Sequence, residues 1–337
     1  MKKIMFFFPL IYIGGTEVAL LSLIKKLKGF DVYIGYVNEN SDKGMLEEFS
    51  KYATVVNVEK EKDIEVDYFI SCSMKLHLCD AANNVKRKKT ILWVHQVLNL
   101  PDSVLNTAVR NSVDCVVTVS NTICELLKNT FMDIKDKIKS IYNVIDSDSV
   151  IDKANEECEI ELSKQLNLVT VSRVCRDKGF SRMLELAKYL RDSNVDFKWF
   201  IIGDNFNKVE ADEIMESFSE FKDNFVWLGF LDNPHKIVKQ CDYSVLLSSN
   251  ETWGLVLTEA MCLGVPCIST DFEVVFEQIR DKETGIILSR DDTTSYKDRI
   301  NDIVKNKEKY KKAIMDFKYD NDAILKAWED LLEAVSM

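Results

Sequence analysis

The chain has 337 residues, of which 46% are hydrophobic and 29% are charged, with 11 Gly and 4 Pro. This length suits two domains of ordinary size, and the composition excludes a disordered or fibrous protein. The net charge of −11 argues against a nucleic-acid partner. It is unevenly spread, with +2 over residues 1–145 and −13 over the remainder.

The first residues, MKKIMFFFPLIYIGG, have two lysines followed by a short apolar run. The run is far shorter than the ~20 residues that span a bilayer, and no small-residue cleavage site follows it. We therefore expect a buried first strand and a cytoplasmic protein. Contact with the inner face of the membrane is a further expectation.

Short β-branched and aromatic runs alternate with amphipathic stretches along nearly the whole chain, which predicts parallel sheets covered by helices on both faces. In the first half we expect a helix over 15–27 and strands over 3–8, 31–37, 53–58, 67–72, 90–95, 114–119 and 139–142. A polar segment without a clear period, 146–164, is the predicted linker. The second half repeats the pattern, with strands predicted over 166–172, 197–202, 225–228, 243–247, 265–269 and 285–288.

Two smaller features concern metals and membranes. The nine cysteines form no zinc-type spacing, so we interpret them as core residues and expect no metal site. The basic run KRKK at 86–89 is interpreted as a solvated helix end, with a patch for a membrane or an acidic ligand as the alternative.

Charged and glycine-rich segments follow several predicted strands, where ligands bind in doubly wound sheets. Gly14 and Gly15 end the first strand and open a helix, which suits an anion at the helix N-terminus. Arg173 and Lys178 flank a turn after the first strand of the second half and suit a diphosphate. His95 ends an apolar strand, and it is interpreted either as a core histidine or as a site residue.

Two carboxylates, Glu251 and Glu259, stand eight residues apart in the apolar stretch SSNETWGLVLTEAMCLGVPCIST. Burying an ionised carboxylate without partners costs several kcal/mol, roughly. A ligand with many hydroxyls and a diphosphate would satisfy both acids, the helix N-terminus at 254–256 and the two cations. The alternative is a helix-terminal carboxylate with an incidental salt bridge.

These motifs together resemble the retaining glycosyltransferases of family 4, which have the GT-B fold. ETWGLVLTE matches the family's E-x7-E motif, SRVCRDKGF its R-x4-K motif and IGGTEVALLSL its Gly-Gly loop and helix. IYNVID at 141–146, VVTVSN at 116–121 and WLGFL at 227–231 fall in their expected places.

The resemblance implies a domain plan. It predicts an N-terminal acceptor-side domain over 1–145, the linker, and a nucleotide-sugar-binding domain over 165–318. These are two Rossmann-like, doubly wound α/β domains facing across a cleft, and a C-terminal helix over 319–337 returns to the first domain. Acceptor sites in this fold lie on loops of the first domain, such as 39–50 and 96–104.

The resemblance also implies residue roles. Arg173 and Lys178 would hold the diphosphate, Glu259 the ribose and Glu251 the transferred sugar, while His95 would contact the sugar or phosphate near the reacting carbon. The expected donor-binding set is completed by Gly14, Gly15, Gly229, Phe230, Leu231, Trp253, Gly254, Leu255 and Val256.

The expected activity is retaining transfer of a hexose or N-acetylhexosamine from a nucleotide-diphosphate sugar, with uridine diphosphate (UDP) as the expected nucleotide. The acceptor would be a glycan or a lipid-linked molecule of bacterial surface polysaccharide synthesis, and no metal or other cofactor is implied. The alternatives are a sugar-nucleotide epimerase of GT-B fold and a silent nucleotide-sugar-binding partner subunit. A nicotinamide-dependent dehydrogenase is disfavoured, because the chain lacks a G-x-G-x-x-G fingerprint.

Overall fold

The computed structural model describes residues 1–61, 63–73, 80–96, 105–204 and 207–336, with the side chain of residue 336 left aside. Within it the chain forms two compact units. The N-terminal unit comprises Met1–Ile145 and Asp320–Met337, and the C-terminal unit comprises Asp146–Tyr319. Most of the loop at 96–104, predicted to serve the acceptor, lies outside the described residues.

The N-terminal unit is built on a seven-stranded sheet in which all described pairings are parallel. Its strands are β1 (Lys2–Phe8), β2 (Phe30–Tyr36), β3 (Thr54–Asn57), β4 (Glu65–Ser71), β5 (Lys86–Val94), β6 (Cys115–Thr118) and β7 (Ile138–Ser140). Their order is β3-β2-β1-β4-β5-β6-β7. The described helices between them are α1 (Gly15–Lys26), α2 (Lys43–Ser50), α3 (Thr107–Ser112) and α4 (Asn121–Thr130), with 3₁₀ helices at Asp80–Asn84 and Met132–Lys137.

The C-terminal unit repeats this plan with a six-stranded parallel sheet. Its strands are β8 (Leu166–Val171), β9 (Phe197–Ile202), β10 (Phe225–Gly229), β11 (Tyr243–Leu246), β12 (Cys267–Thr270) and β13 (Gly285–Leu288), in the order β10-β9-β8-β11-β12-β13. The α-helices of the unit are α5 (Ser147–Ala154), α6 (Phe180–Asp192), α7 (Lys208–Ser217), α8 (His235–Val238), α9 (Leu255–Cys262), α10 (Ile300–Lys305) and α11 (Lys307–Ile314). Short 3₁₀ helices lie at Arg176–Lys178, Ser219–Phe221, Glu273–Glu277 and Thr293–Arg299.

Both sheets reverse their strand order next to their first strand. β1 pairs with β2 on one side and β4 on the other, and β8 pairs with β9 and β11. At such a point the crossover helices leave in opposite directions and open a crevice at the carboxyl ends of the strands. The glycine loop before α1 and the basic turn after β8 lie at these two points.

The final helix, α12 (Asn321–Ser336), belongs to the N-terminal unit. Trp328 is 1% exposed and packs edge-on against Trp93 of β5, with 5.2 Å between the ring centroids. The hydroxyl of Tyr68 on β4 donates to the carbonyl oxygen of Leu332 at 2.6 Å. The apolar stripe of this helix is thus buried on the first sheet.

Three of the predictions for local structure were wrong. The segment 39–50, predicted to be a loop, contains helix α2. The segment 146–164 contains helix α5 and belongs to the C-terminal unit. Only Val150 and Ala154 of this helix are buried, and so short a helix shows no sequence period. The basic run at 86–89 begins strand β5 instead of ending a helix.

Most of the described cysteines are core residues, as predicted. The eight described cysteines are free thiols, and Cys72, Cys115, Cys124, Cys175, Cys241 and Cys267 are buried. Cys79 lies outside the described residues. Among the described helices, none combines the length and the apolar character that crossing a membrane requires.

Candidate functional site

In the C-terminal unit, the loop after β8 and the loop after β11 are joined backbone to backbone. The Ser249 amide donates to the Asp177 carbonyl oxygen at 2.8 Å. Gly179 has φ +77°, and a Cβ added to it would lie 1.8 Å from the Leu247 carbonyl oxygen, so a side chain cannot be accommodated. This close approach brings the basic turn next to the segment that carries Glu251.

Lys178 and Glu251 form an ion pair at this junction, with 2.7 Å between Nζ and Oε1. Their side chains are 16% and 17% exposed. The Ser248 hydroxyl donates to the same carboxylate oxygen at 2.8 Å. Glu251 therefore has the partners that its apolar surroundings demand, and removing Lys178 would leave a mostly buried carboxylate without its cation.

Two arginines that the sequence did not single out hold the Glu251 loop. Arg182 on α6 donates through Nη1 to the Leu247 carbonyl oxygen and the Ser249 hydroxyl, both at 3.2 Å. Its Nε donates to the Arg290 carbonyl oxygen at 2.8 Å, and Arg290 donates to the Ser249 carbonyl oxygen at 3.3 Å. No local pattern could have revealed them, because their partners lie 41 to 108 residues away.

Helix α9 starts beside this loop, at Gly254 with φ +80°. The Gln278 amide donates to the Thr258 hydroxyl at 2.8 Å and to the Gly254 carbonyl oxygen at 3.4 Å, which anchors the first turn. Gly254, Leu255 and Val256 are half-buried, so the helix N-terminus keeps solvent access. Its free amides and dipole favour an anion there.

Trp253 was expected among the donor-binding residues, and the structure places most of it inside the unit. It is 5% exposed, and its indole N–H donates to the Thr258 hydroxyl at 3.2 Å. Its position next to Gly254 makes it a support for the start of α9.

Glu259 lies one turn further along α9 and faces a histidine that sequence reasoning missed. The Nε2 atom of His235 is 3.4 Å from Oε2 of Glu259, with side chains 13% and 18% exposed. In the described part of the chain, no lysine or arginine lies within 4.0 Å of this carboxylate. His235 is the first residue of α8, six residues past the end of β10, and nothing in the local sequence marks it as a partner of Glu259.

Arg173 is held less closely than Lys178. Its side chain is 56% exposed, and its nearest acid, Asp177, is 3.7 Å away, beyond hydrogen-bond distance. A Cβ on Gly203 would lie 1.9 Å from the Ser172 carbonyl oxygen, so the backbone before Arg173 packs tightly on the end of β9. The backbone is therefore held closely while the guanidinium extends into solvent.

The exit of β10 carries the segment expected to meet the base. Gly229 is exposed with φ +65°, and its carbonyl oxygen accepts from the Gly203 amide at 2.8 Å. Phe230 is 52% exposed and Leu231 is half-buried. An exposed aromatic ring at the end of a parallel sheet offers a surface on which a planar base can stack.

In the N-terminal unit, the glycine loop surrounds a buried carboxyl group. Glu17, in the first turn of α1, is 2% exposed. Burial raises its pKa to about 7, although the backbone N–H groups of Glu17 and Tyr12 partly offset that effect. A Cβ on Gly14 would lie 2.9 Å from Glu17 Oε2 and from the Tyr12 ring, so a larger residue there would require these side chains to shift.

His95 directly follows β5 and packs edge-on against Trp93, with 4.2 Å between ring centroids. Burial lowers the pKa of His95 to about 3, so its imidazole is neutral at physiological pH. A neutral imidazole offers one donor and one acceptor but no positive charge for a phosphate. In the described part of the chain, no cluster of three or more His, Cys, Asp or Glu side chains could hold a metal ion.

Comparisons of sequence show which proteins the chain is similar to. Residues 153–316 match the family model "Glycosyl transferases group 1". The chain is 27% identical over 269 residues to N-acetyl-alpha-D-glucosaminyl L-malate synthase of Bacillus anthracis, covering 77% of this chain and 69% of that protein. It is 32% identical over 217 residues to an uncharacterised 41.2 kDa protein of the cps region of Klebsiella pneumoniae, covering 61% and 53%.

Solved structures show the fold. HepE of Anabaena in complex with UDP and glucose has a TM-score of 0.77 at 16% identity, covering 99% of this chain and all of that one. A glycosyltransferase of Rickettsia africae has a TM-score of 0.79 at 18% identity, covering 99% and 98%. The fold class is GT-B, as predicted, and the sequence matches support a glycosyltransferase.

Proposed function

We propose that this protein is a retaining, metal-independent glycosyltransferase. It would transfer a hexose or N-acetylhexosamine from a UDP-sugar to a glycan or lipid-linked acceptor of bacterial surface polysaccharide synthesis. The observation that carries the proposal is the half-open junction in the C-terminal unit, where the Lys178–Glu251 pair meets the accessible start of α9. A diphosphate and a polyhydroxylated sugar need this combination of cation, carboxylate and free amides.

The donor's diphosphate is assigned to Lys178, Arg173 and the amides of the first turn of α9. When the diphosphate binds, Lys178 can turn from Glu251 towards the phosphate, which frees the carboxylate for sugar hydroxyls. Arg173 is exposed and can close onto the phosphate as a planar fork. Glu259 would accept the ribose hydroxyls, and the segment Gly229–Leu231 would meet the base.

The N-terminal unit is assigned the acceptor, together with Gly15 and His95. Because His95 is neutral, its proposed task is a hydrogen bond to a sugar hydroxyl or phosphate oxygen near the reacting carbon.

The reaction breaks the bond between the anomeric carbon and the β-phosphate oxygen, and it forms a bond to an acceptor oxygen on the same face. Negative charge grows on the departing phosphate while the sugar becomes oxocarbenium-like. Lys178, Arg173 and the helix N-terminus would stabilise that charge, and such preorganised electrostatics are usually the largest catalytic contribution. The leaving phosphate itself would take the acceptor's proton, so neither glutamate need act as a nucleophile.

The choice of UDP rests on named proteins of similar fold or sequence. HepE of Anabaena has been crystallised with UDP, with UDP and glucose, and with UDP-glucose. A relative from Campylobacter jejuni, 27% identical over 185 residues, is named as an N-acetylgalactosaminyltransferase acting on a diphospho-undecaprenol-linked sugar. For this chain the sugar, the nucleotide and the acceptor remain parts of the proposal.

The basic run at the start of β5 adds little support for contact with the inner face of the membrane. Lys88 pairs with Asp67 at 2.7 Å, Lys89 with Asp114 at 3.5 Å and Lys86 with Asp63 at 3.6 Å. Each lysine of the run thus has its own carboxylate. A lipid-linked acceptor would have to be met by another surface of the N-terminal unit.

The test is donor turnover by Lys178→Ala and Glu259→Ala. Loss of one charge that stabilises the leaving phosphate is expected to lower kcat by roughly 10²–10³-fold in Lys178→Ala. Glu259→Ala should raise KM for the donor more than it lowers kcat. Unchanged rates in both variants would contradict the assignment.

The same assay separates the two alternatives. Nucleotide release that builds a glycosidic bond on an added acceptor supports a transferase. Release without such a bond indicates the epimerase, and binding without release indicates the silent subunit.

A further inference from the structure

The contact between His235 and Glu259 is more specific than a chance approach of two polar side chains. His235 is the first residue of α8, and its backbone amide donates to the Asn233 side chain at 3.2 Å. Asn233 in turn donates to the Lys153 carbonyl oxygen and to the Glu156 carboxylate, both at 2.8 Å. The histidine is thus fixed to the end of α5 before its ring reaches Glu259.

The two ring nitrogens of His235 have different surroundings. Nε2 lies 3.4 Å from the Glu259 carboxylate, whereas Nδ1 is buried and has no hydrogen-bond partner among the described residues. Because an ionised carboxylate can only accept, the contact requires a proton on Nε2, which donates to Glu259.

We infer that His235 is a positioning residue for recognition of the nucleotide's ribose. Its Nε2–H holds Oε2 of Glu259, so that the carboxylate is oriented before the ligand arrives and its other oxygen is free for a ribose hydroxyl. This inference rests on the proposed function, because it takes Glu259 as the ribose-binding acid. It adds a residue from a different helix, and it predicts that the sugar hydroxyls of the nucleoside, not the phosphates, depend on His235.

A carboxylate that must be ordered on binding loses side-chain entropy, which a preformed hydrogen bond has already removed. His235 would therefore act on nucleotide affinity and hardly on the sugar-transfer step. In kinetic terms its loss should raise KM for the donor while kcat stays close to the wild-type value.

The experiment measures by calorimetry the binding of UDP, ADP, GDP and inorganic pyrophosphate to the protein. It then measures the 2′-deoxy and 3′-deoxy forms of the nucleotide that binds most tightly. His235→Phe keeps an aromatic ring but cannot donate, whereas the amide of His235→Gln can replace the Nε2 donor. The other two variants are Glu259→Ala and the double variant that combines His235→Phe with Glu259→Ala. The ratio of ribonucleotide to deoxynucleotide affinity compares two ligands on the same variant. Partial unfolding of that variant lowers both affinities alike and leaves the ratio unchanged.

We expect His235→Phe to weaken nucleotide binding about ten-fold, the loss of one hydrogen bond to a charged group. The preference for the ribonucleotide over at least one deoxy form should shrink by a similar factor, while pyrophosphate binding changes less than about two-fold. His235→Gln should restore most of the preference. The double variant should bind no more weakly than Glu259→Ala, because the histidine acts through that carboxylate.

Three results would overturn the inference while leaving the proposed function standing. These are an unchanged ribose preference in His235→Phe, an equal loss of pyrophosphate binding, or additive losses in the double variant, which would make His235 a direct ligand contact. Failure of all three nucleotides to bind the wild-type protein would overturn the inference together with the proposed function.

Discussion

At the scale of single residues, Glu17 is the most perturbed carboxyl group of the N-terminal unit. Burial raises its pKa from 4.5 to about 7. Burial also raises the pKa of the Cys72 thiol, and the charge of Glu17 adds to that effect, so the two groups are close neighbours. Neither group was singled out from the sequence, because a glutamate in the first turn of a helix is ordinarily solvated.

The raised pKa gives a prediction for stability against pH. Below pH 4.5 Glu17 is protonated in both folded and unfolded chains, and between 4.5 and about 7 only the unfolded chain loses the proton. The free energy of unfolding should therefore fall across this window by on the order of 3 kcal/mol, discounted for the group's residual solvent access.

Urea unfolding of Glu17→Gln against wild type at pH 5 and pH 8 checks this effect. The free energy of unfolding of Glu17→Gln minus that of wild type should be more positive at pH 8 than at pH 5. Glu47→Gln, at an exposed position of α2, is the control and should show no such change. An equal difference at both pH values would contradict the buried, proton-linked state of Glu17.

The second prediction at this scale concerns His95. With a pKa of about 3, its imidazole does not ionise between pH 5 and 8, so it cannot contribute a step to the pH–rate profile there. His95→Gln, which keeps a neutral donor, should lower kcat by about ten-fold or less and leave the shape of the profile unchanged. A pH step near 6.5 that is present in wild type and lost in the variant would show that His95 is solvated and titrates.

Single residues also show the reach of sequence reasoning. Glu251 could be picked out because a charge in an apolar segment is conspicuous, and Lys178 because it lies in a basic turn that follows a strand. Arg182 and His235 could not, because each stands in an ordinary polar position and acquires its role from residues at least 24 positions away. Trp253 was placed with the ligand because of its sequence neighbours, and only packing shows that its indole N–H is already used.

At the scale of elements, strands were predictable and short helices were not. Each strand in the centre of a parallel sheet is buried on both faces, so its sequence is a plain apolar run such as KIMFFF in β1. The start of β5 is the exception. KRKK lies at the amino-terminal end of the strand, and its lysines pair with acids of neighbouring segments. Helices such as α5 and α8 are too short for a period to emerge.

Helix α12 carries the prediction at this scale. Trp328 contacts Trp93, and Trp93 contacts His95, so the helix supports the strand end that holds the proposed site residue. Replacing Trp328 by Ala removes a 1% exposed indole and should destabilise the N-terminal unit by about 3–5 kcal/mol. Thermal unfolding followed by circular dichroism measures the loss.

The matched control is Glu329→Ala, one residue further on and exposed, which should change the unfolding temperature little. If both variants unfold at the wild-type temperature, α12 contributes no packing energy and its contact with β5 is incidental. If Trp328→Ala alone is destabilised and also loses activity below its unfolding temperature, support of His95 by the helix is the direct explanation.

At the scale of the whole molecule, the two units were separable in the sequence because the strand and helix pattern stops near residue 145 and starts again near 166. The boundary itself was blurred, since the predicted linker turned out to hold α5. The N-terminal unit (residues 1–145 and 320–337) carries a net charge of −2 and the C-terminal unit (residues 146–319) one of −9, so the proposed site would place an anionic ligand on the more acidic unit. Only a local arrangement of cations and amides can overcome that overall repulsion.

Ligand binding should therefore stabilise the molecule unevenly. A nucleotide at 100 times its Kd stabilises the state that binds it by about 2.7 kcal/mol. If the site lies in the C-terminal unit, hydrogen exchange in the presence of UDP should slow over 172–178, 229–235 and 247–259. Strand β3, at the edge of the N-terminal sheet and separated from β1 by β2, should exchange as before. Lys178→Ala at the same UDP concentration should lose most of this protection, whereas Lys188→Ala, which removes an exposed pair with Glu185, should keep it. Protection spread evenly over both units, or protection that survives in Lys178→Ala, would contradict a nucleotide site at the β8–β11 junction.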